Sequence, residues 1–135
     1  MIIVRDRPPM FAEMVKAFPA AAGHGVLFAW GNRIYNPSGV PVSRQLYAHE
    51  EIHHQQQGDK DDGIAEWWRT YLGNKRFRFE QELPAHQAEY RAYRPGRSGF
   101  SRAGYLHKVA SCMASDLYGG IVTYQEAVTL IKAEG

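Results

Sequence analysis

The sequence predicts a single α+β domain that is mainly helical, with a small N-terminal sheet packed beside one polar helix. Short β-type segments are confined to residues 2–35, whereas later segments carry apolar residues at the three- and four-residue spacing of helices. The chain of 135 residues is long enough for one sizeable core and contains no internal repeat or low-complexity segment. We therefore expect residues 1–135 to form one domain.

The N-terminal elements are predicted to be three strands and one helix. Residues 2–4 form the β-branched run Ile-Ile-Val, and apolar residues recur at helical spacing over residues 11–18 until a proline follows. Residues 25–30 and 33–35 are β-type segments on either side of Gly31-Asn32, a pair that favours a tight hairpin turn.

The polar helix is predicted over residues 43–57, which contain no glycine or proline. Ser43 suits the N-cap, because its hydroxyl can accept a bond from a free backbone N–H. Gly58 suits the C-terminal stop. This helix follows the strands directly, so a strand edge is expected beside it.

Two helices should follow. Residues 64–72 place large apolar side chains at i, i+3, i+4, i+7 and i+8, a pattern typical of an amphipathic helix with an aromatic face. Residues 76–93 are also helical in pattern, but Pro84 interrupts them and costs ~3 kcal/mol in a helix interior. We expect that helix to begin near Glu82 or to kink there.

The C-terminal part predicts two more helices. Apolar residues recur at helical spacing over residues 106–117, until Gly119-Gly120 ends the pattern. Thr123 and Glu126 then form a T-x-x-E capping box for a final helix.

Composition excludes several classes of protein. The net charge of +2 is too small to indicate a nucleic-acid binder, and we expect no nucleic-acid partner. Cys112 is the only cysteine, which excludes an internal disulfide and a cysteine-based metal cluster. No apolar run is long enough for a signal peptide or a membrane span, so a cytoplasmic location is expected. The basic residues between 75 and 102 are interpreted as a solvated helix face balanced by nearby glutamates.

A metal site is indicated by His49-Glu50-Glu51-Ile52-His53, which has the pattern H-E-x-x-H. On a helix, His49 and His53 lie one turn apart on the same face, so both imidazoles can bind one ion. Two neutral nitrogens with a carboxylate favour zinc, Zn²⁺. Glu50 lies between the ligands, where it can move protons for a metal-activated water.

The third ligand must come from elsewhere in the chain, because a catalytic zinc usually has three protein ligands. Asp59 stands six residues after His53, but Gln56 occupies the intervening position at which a glycine would let the chain double back. Glu82 and Glu89 share one face of the next but one helix with His86, and either carboxylate could complete a His/His/Glu site.

The motif and the later segment Glu82-Leu83-Pro84-Ala85-His86 together resemble the gluzincin, or thermolysin-like, metallopeptidases. In that family a ligand glutamate follows H-E-x-x-H on a later helix, with a small residue three positions on, which favours Glu82 over Glu89. The family more often has an acid where this chain has His86, and there the acid supports a ligand histidine.

The resemblance covers roughly residues 26–90 and implies a zincin-like fold similar to small H-E-x-x-H proteins of bacteria and their phages. It implies a peptide or protein substrate, bound as an extended strand along the sheet edge.

The resulting hypothesis is hydrolysis of peptide bonds by a zinc-bound water that Glu50 activates as general base and then general acid. A donor for the transition-state oxyanion is also needed. Tyr118, next to two glycines that permit close approach, is the first candidate; Tyr90, Tyr93 and His107 are the others.

Two alternatives are non-enzymatic. One is a zincin-like module that binds metal or a partner without turnover, and the other is a phage-associated interaction protein in which metal only holds helices together. Glu50 argues against both, since a structural site needs no carboxylate between its ligands. The sequence does not indicate an oligomeric state.

Overall fold

A three-stranded sheet forms the N-terminal part of the fold in the computed structural model, which describes residues 1–133. Strands β1 (Ile2–Val4), β2 (Phe28–Trp30) and β3 (Arg33–Tyr35) lie in the order β1-β3-β2. β3 is parallel to β1 and antiparallel to β2. Gly31, with φ of 58°, turns the chain between β2 and β3, where an added Cβ would lie 2.9 Å from Ile64 Cδ1. The three predicted strands and the hairpin are confirmed, although β2 covers only Phe28–Trp30 of the predicted segment 25–30.

Helix α1 (Phe11–Ala17) lies between β1 and β2 and buries Met14. A short 3-10 turn (Pro19–Ala22) follows it, because Pro19 cannot continue the α-helix. This turn and the loop after it lead into β2. They also line the cavity that is described with the candidate metal centre below.

Helix α2 (Arg44–Gln57) carries the H-E-x-x-H motif. Its predicted ends are confirmed: Ser43 Oγ accepts from the backbone N–H of Leu46 at 3.3 Å, and Gly58 ends the helix with φ of 75°. Both motif histidines are buried, so the polar face of this helix is turned into the protein.

The outer edge of β2 is bonded to helices. The Ala29 carbonyl accepts from Gln57 Nε2 at 3.1 Å and from Trp68 Nε1 at 3.0 Å. Gln57 Oε1 in turn accepts from the Gly31 N–H at 2.8 Å. Because this main-chain acceptor is already used, we assign no peptide pairing to the edge of β2 at Ala29.

Helices α3 (Asp61–Gly73) and α4 (Lys75–Ala92) form the centre of the molecule. The helical pattern over residues 76–93 is confirmed, since α4 begins at Lys75 and continues through Pro84, and the expectation of a start near Glu82 is wrong. Asn74 caps its first turn by accepting from the Phe77 N–H at 2.9 Å. The carbonyl that loses its helical donor to Pro84 belongs to Glu80, an exposed residue that water can reach.

Helices α5 (Arg102–Met113) and α6 (Tyr124–Ala133) complete the described chain. The predicted helix over residues 106–117 ends earlier than expected, and Leu117 lies in a separate 3-10 turn (Asp116–Tyr118). The capping box is confirmed, since Thr123 Oγ1 accepts from the Glu126 N–H at 3.1 Å and Glu126 Oε1 from the Thr123 N–H at 3.0 Å.

The hydrophobic core has two clusters. The sheet cluster joins the sheet to α1 and α3 and includes Met14, Phe28 and Trp68. The helical cluster joins α4, α5 and α6 and includes Tyr105, Met113 and Ile131. The mainly helical α+β architecture with a small sheet is confirmed. No helix within residues 1–133 combines the length and the apolar character needed to cross a membrane.

Candidate metal centre

Three side-chain atoms from α2 and α4 converge on one point. His49 Nε2 and His53 Nε2 lie 3.2 Å apart, and Glu82 Oε1 lies 3.0 Å from the first and 2.9 Å from the second. The histidines meet because they are one helical turn apart on α2. Glu82 reaches them because α4 packs along α2. The structure therefore brings together the three residues that the sequence nominated as metal ligands.

The outer nitrogens of both histidines are held by acceptors. His49 Nδ1–H donates to Glu89 Oε1 at 2.8 Å, and His53 Nδ1–H donates to Gln56 Oε1 at 2.8 Å. Gln56 is itself fixed, since its Nε2 donates to the Gln81 carbonyl at 2.8 Å. With the proton on Nδ1 in each ring, Nε2 presents a lone pair.

When both rings are neutral, the cluster therefore consists of three acceptors. Two imidazole lone pairs and one carboxylate oxygen repel one another at about 3 Å unless a proton or a metal cation lies among them. A tetrahedral zinc with bonds of about 2.0–2.2 Å holds neighbouring donors roughly 3.3–3.6 Å apart. The donor set fits zinc in chemistry, and a few tenths of an ångström of opening would fit it in distance.

The charges around His49 hold a proton on its ring when no metal is bound, and a metal ion would displace that proton. Burial lowers the pKa of His49, but hydrogen bonds with Glu82 and Glu89 outweigh it and raise that pKa well above its usual value. Burial likewise opposes ionisation of Glu82, yet His53 and His49 hold its pKa well below the usual range. The centre therefore keeps its carboxylate charged and attracts positive charge.

Glu82 is held from both sides. While Oε1 faces the histidines, Oε2 accepts from the Tyr71 hydroxyl at 2.5 Å. Burial raises the pKa of Tyr71 well above its usual value, and the nearby Glu82 charge adds to this, so the hydroxyl stays protonated and donates. Tyr71 was not foreseen from the sequence, because its position depends on how α3 crosses α4.

Glu50 lies beside the centre without joining it. It is buried, lines the same cavity as both histidines, and makes no hydrogen bond with another described residue. Burial raises its pKa above the usual value, although His49 and His53 pull the other way. A carboxylate with a raised pKa and free oxygens is suited to accept and release a proton.

Glu89, the second candidate for the third ligand, lies on the far side of His49. Its Oε1 accepts from His49 Nδ1 at 2.8 Å and from His86 Nδ1 at 3.0 Å, and its Oε2 accepts from the Tyr105 hydroxyl at 2.5 Å. Glu89 thus performs the supporting role that the resemblance placed at position 86. His49, His86 and Glu89 form a second group close enough for a metal, but these hydrogen bonds occupy its ligand atoms.

His86 carries a free polar atom. Its side chain is buried and lines the cavity, and its Nε2 has no hydrogen-bond partner among residues 1–133. Its ring centroid lies 4.7 Å from that of His49. The sequence placed His86 on the ligand face but gave it no role.

The other residues proposed from the sequence lie in different places, and most of them are outside the cavity. Tyr118 is buried and lines the cavity, with its hydroxyl 3.9 Å from Cys112 Sγ. Tyr90 stacks under Arg102, Tyr93 bonds to the Phe100 carbonyl, and His107 bonds to Tyr124 at the surface. Asp59 is exposed and bonds to His54. Of these residues only Tyr118 lines the cavity of the centre.

Comparison with known proteins adds no relative. No family model, no curated protein and no solved structure matches this chain. The resemblance to gluzincins therefore rests on the motif residues and on Glu82 alone.

Proposed function

We propose that this protein is a zinc-dependent hydrolase that cleaves peptide bonds. The observation that carries the proposal is the convergence of three possible ligand atoms, from His49, His53 and Glu82, within 3.2 Å of one another. A buried carboxylate that belongs to neither the ligand set nor any hydrogen bond, Glu50, lies on the wall of the same cavity. Metal ligands alone are sufficient for a metal-binding site. Metal ligands with an unbonded general base beside them are typical of a hydrolase.

His49, His53 and Glu82 would hold the ion. When bound, zinc supplies Lewis acidity that polarises a carbonyl and lowers the pKa of water toward ~7. Glu50 accepts a proton from the attacking water on a free carboxylate oxygen and delivers it to the leaving amide nitrogen. In the metal-free protein, burial raises the pKa of Glu50 above that of an exposed glutamate.

The carbonyl oxygen becomes negatively charged in the tetrahedral transition state and needs a further hydrogen-bond donor. Two side chains that line the cavity could supply it. Burial raises the pKa of Tyr118 well above its usual value, with Glu82 adding to the effect, so its hydroxyl is protonated. His86 is the second candidate, because its side chain lines the cavity and its buried Nε2 makes no hydrogen bond within residues 1–133. We retain Tyr118 as proposed from the sequence and add His86.

Metal content and hydrolysis, measured together, test the proposal. We expect about one zinc per chain in the wild type and in Glu50→Gln, and less in His53→Ala and Glu82→Ala. Hydrolysis of a mixed fluorogenic peptide library should fall by about 10²–10⁴-fold in Glu50→Gln. Glu51→Gln, the same change at the exposed neighbouring position, is the control and should retain both properties.

Each other outcome has a distinct meaning. A wild type that holds zinc but cleaves no peptide would leave the non-catalytic, metal-binding module as the function. If the wild type holds no zinc after incubation with the metal, His49, His53 and Glu82 do not form a zinc site and the proposed function is wrong.

A further inference from the structure

The charge of the chain is unevenly distributed along the sequence. Residues 90–115, called here the basic segment, contain four arginines and one lysine but no aspartate or glutamate, so their charge is +5. All the other residues together have a charge of −3, since the whole chain has a charge of +2. A distribution of this kind is typical of proteins that bind an anionic polymer or surface.

The glutamates of α4 do not neutralise the basic segment. Glu82 and Glu89 are buried at the metal centre, and only Glu80 is exposed. Four cations of the basic segment form no ion pair with a carboxylate of residues 1–133; they are Arg94, Arg97, Arg102 and Lys108. Their charge therefore remains for an anionic partner to neutralise.

The loop between α4 and α5, residues 93–101, is held in place at its base. Tyr93 stacks on Tyr105 with the ring centroids 3.9 Å apart, and the Tyr93 hydroxyl donates to the Phe100 carbonyl at 2.5 Å. Arg102 donates to the Tyr93 carbonyl at 3.0 Å, and its guanidinium lies 4.3 Å from the ring centroid of Tyr90. Because the base is fixed, the exposed residues 94–101 lose less freedom when a partner binds.

The exposed part of this loop combines cations with one aromatic ring. Residues 94–102 read Arg-Pro-Gly-Arg-Ser-Gly-Phe-Ser-Arg, a mixture of arginine, glycine and serine that is typical of segments binding single-stranded nucleic acid. Phe100 is 49% exposed, and Lys108 Nζ lies 5.7 Å from its ring centroid. A base can stack on the exposed ring while the phosphates beside it contact the cations.

The N-terminus of α5 lies at the end of the same loop and adds donors for phosphate. Ser101 Oγ accepts from the Gly104 N–H at 3.0 Å. The N–H groups of Arg102 and Ala103, in the first turn, have no acceptor within the helix. Such N–H groups and the positive end of a helix favour a phosphate.

An anionic membrane fits this surface less well than a nucleic acid does. Phe100 is the only large apolar side chain that is exposed among residues 90–115. A segment that lies in a membrane interface needs a much larger apolar face. Arginine and a single stacking ring instead suit phosphates and a base.

We propose that the basic segment binds single-stranded nucleic acid, with phosphates at Arg94, Arg97 and the N-terminus of α5 and a base stacked on Phe100. This inference replaces the expectation of no nucleic-acid partner, which used the net charge of the whole chain. The loop begins roughly 16 Å along α4 from Glu82, so binding does not require the metal centre or the proposed hydrolysis.

Fluorescence anisotropy of a fluorescein-labelled oligothymidylate of about 20 nucleotides tests the proposal. We expect the full chain to bind with a Kd of about 1–100 μM at low salt, and to bind more weakly as salt rises. Arg94→Gln combined with Arg97→Gln should weaken binding by about tenfold or more and reduce the slope of log K against log salt by about 1.4.

A matched double variant supplies the control. Lys75→Gln combined with Arg76→Gln removes the same charge at exposed positions in the first turn of α4, the end of that helix away from the loop. This control should leave both the affinity and the salt slope nearly unchanged. Circular dichroism should show wild-type folding in both double variants.

A third variant tests the stacked base. Phe100→Ala should weaken binding by about fivefold or more, whereas Phe100→Trp should keep it, because stacking on an aromatic ring is sequence-tolerant but needs the ring. An unlabelled hairpin duplex should compete less well than the unlabelled single strand. Equal competition by the duplex, or unchanged affinity in Phe100→Ala, would overturn the proposal.

The remaining outcomes also decide the matter. Absence of oligonucleotide binding at low salt would overturn the proposal, as would equal weakening by the two double variants. If vesicles of phosphatidylserine and phosphatidylcholine bind the protein and the oligonucleotide does not, the segment is a membrane-binding surface and the proposal is wrong. The metal-free and zinc-loaded proteins should bind the oligonucleotide equally, so a failure of the proposed hydrolysis would leave this result intact.

Discussion

Glu89 shows how one buried carboxylate can organise several side chains. Two histidines and one tyrosine donate to it, and through His49 it is linked to the proposed ligand set. Burial opposes its ionisation, but the hydrogen bonds from His49 and His86 lower its pKa well below the usual range. A charged acceptor on the outer nitrogen fixes the tautomer of His49 and makes its inner nitrogen a better metal ligand.

Replacing this charge should weaken metal binding without abolishing it. We expect Glu89→Gln to lower zinc affinity by about 10- to 100-fold, because the amide holds the His49 ring less strongly and carries no charge. Competition with a chromogenic chelator measures the change. Glu80→Gln, the same substitution at an exposed position of α4, should have no effect. If Glu89→Gln lost as much zinc affinity as Glu82→Ala, this would indicate that Glu89 is itself a ligand.

At the scale of the elements, local signals were sufficient for most of the fold and for part of the site. Caps, glycine stops and periodicity depend on neighbouring residues, so β1 to β3, α2 and the capping box of α6 could be predicted. His49 and His53 are likewise one turn apart on a single helix. Tyr71 and the role of Glu89 depend on how different helices cross, which no local pattern encodes. The helical pattern of α4 was also visible over residues 76–93, whereas the expected start near Glu82 was wrong because tertiary packing overrides the local cost of Pro84.

Pro84 is therefore expected to limit stability. Pro84→Ala restores a helix hydrogen bond and removes a propensity cost, while the unfolded chain gains some freedom, so the free energy of unfolding should rise by roughly 2 kcal/mol. Urea titration followed by circular dichroism measures this. Glu80→Ala, at an exposed position of the same helix, should change stability little. A fall in stability would show that α4 needs the proline for its packing, and zinc affinity should then fall with it.

At the scale of the whole molecule, the metal centre lies between the two core clusters. The His53 ring lies 5.3 Å from Trp67 of the sheet cluster, and the His86 ring lies 6.1 Å from Tyr118 of the helical cluster. Arg78 joins the same parts, since its guanidinium donates to the carbonyls of Tyr71 and Leu117 at 2.6 and 3.0 Å. A cation at the centre would therefore tie α2 to α4 and stabilise the contact between the clusters.

Zinc should consequently raise the stability of the entire fold. A ligand that binds only the native state at 100 times its dissociation constant contributes about 2.7 kcal/mol, which corresponds to a rise in Tm of roughly 10 °C for a domain of this size. Thermal unfolding with and without zinc measures the shift. Glu50→Gln should show the full rise, because Glu50 is not a ligand, whereas Glu82→Ala should show little. An equal rise in Glu82→Ala would mean that zinc binds elsewhere and that His49, His53 and Glu82 are held together by hydrogen bonds alone.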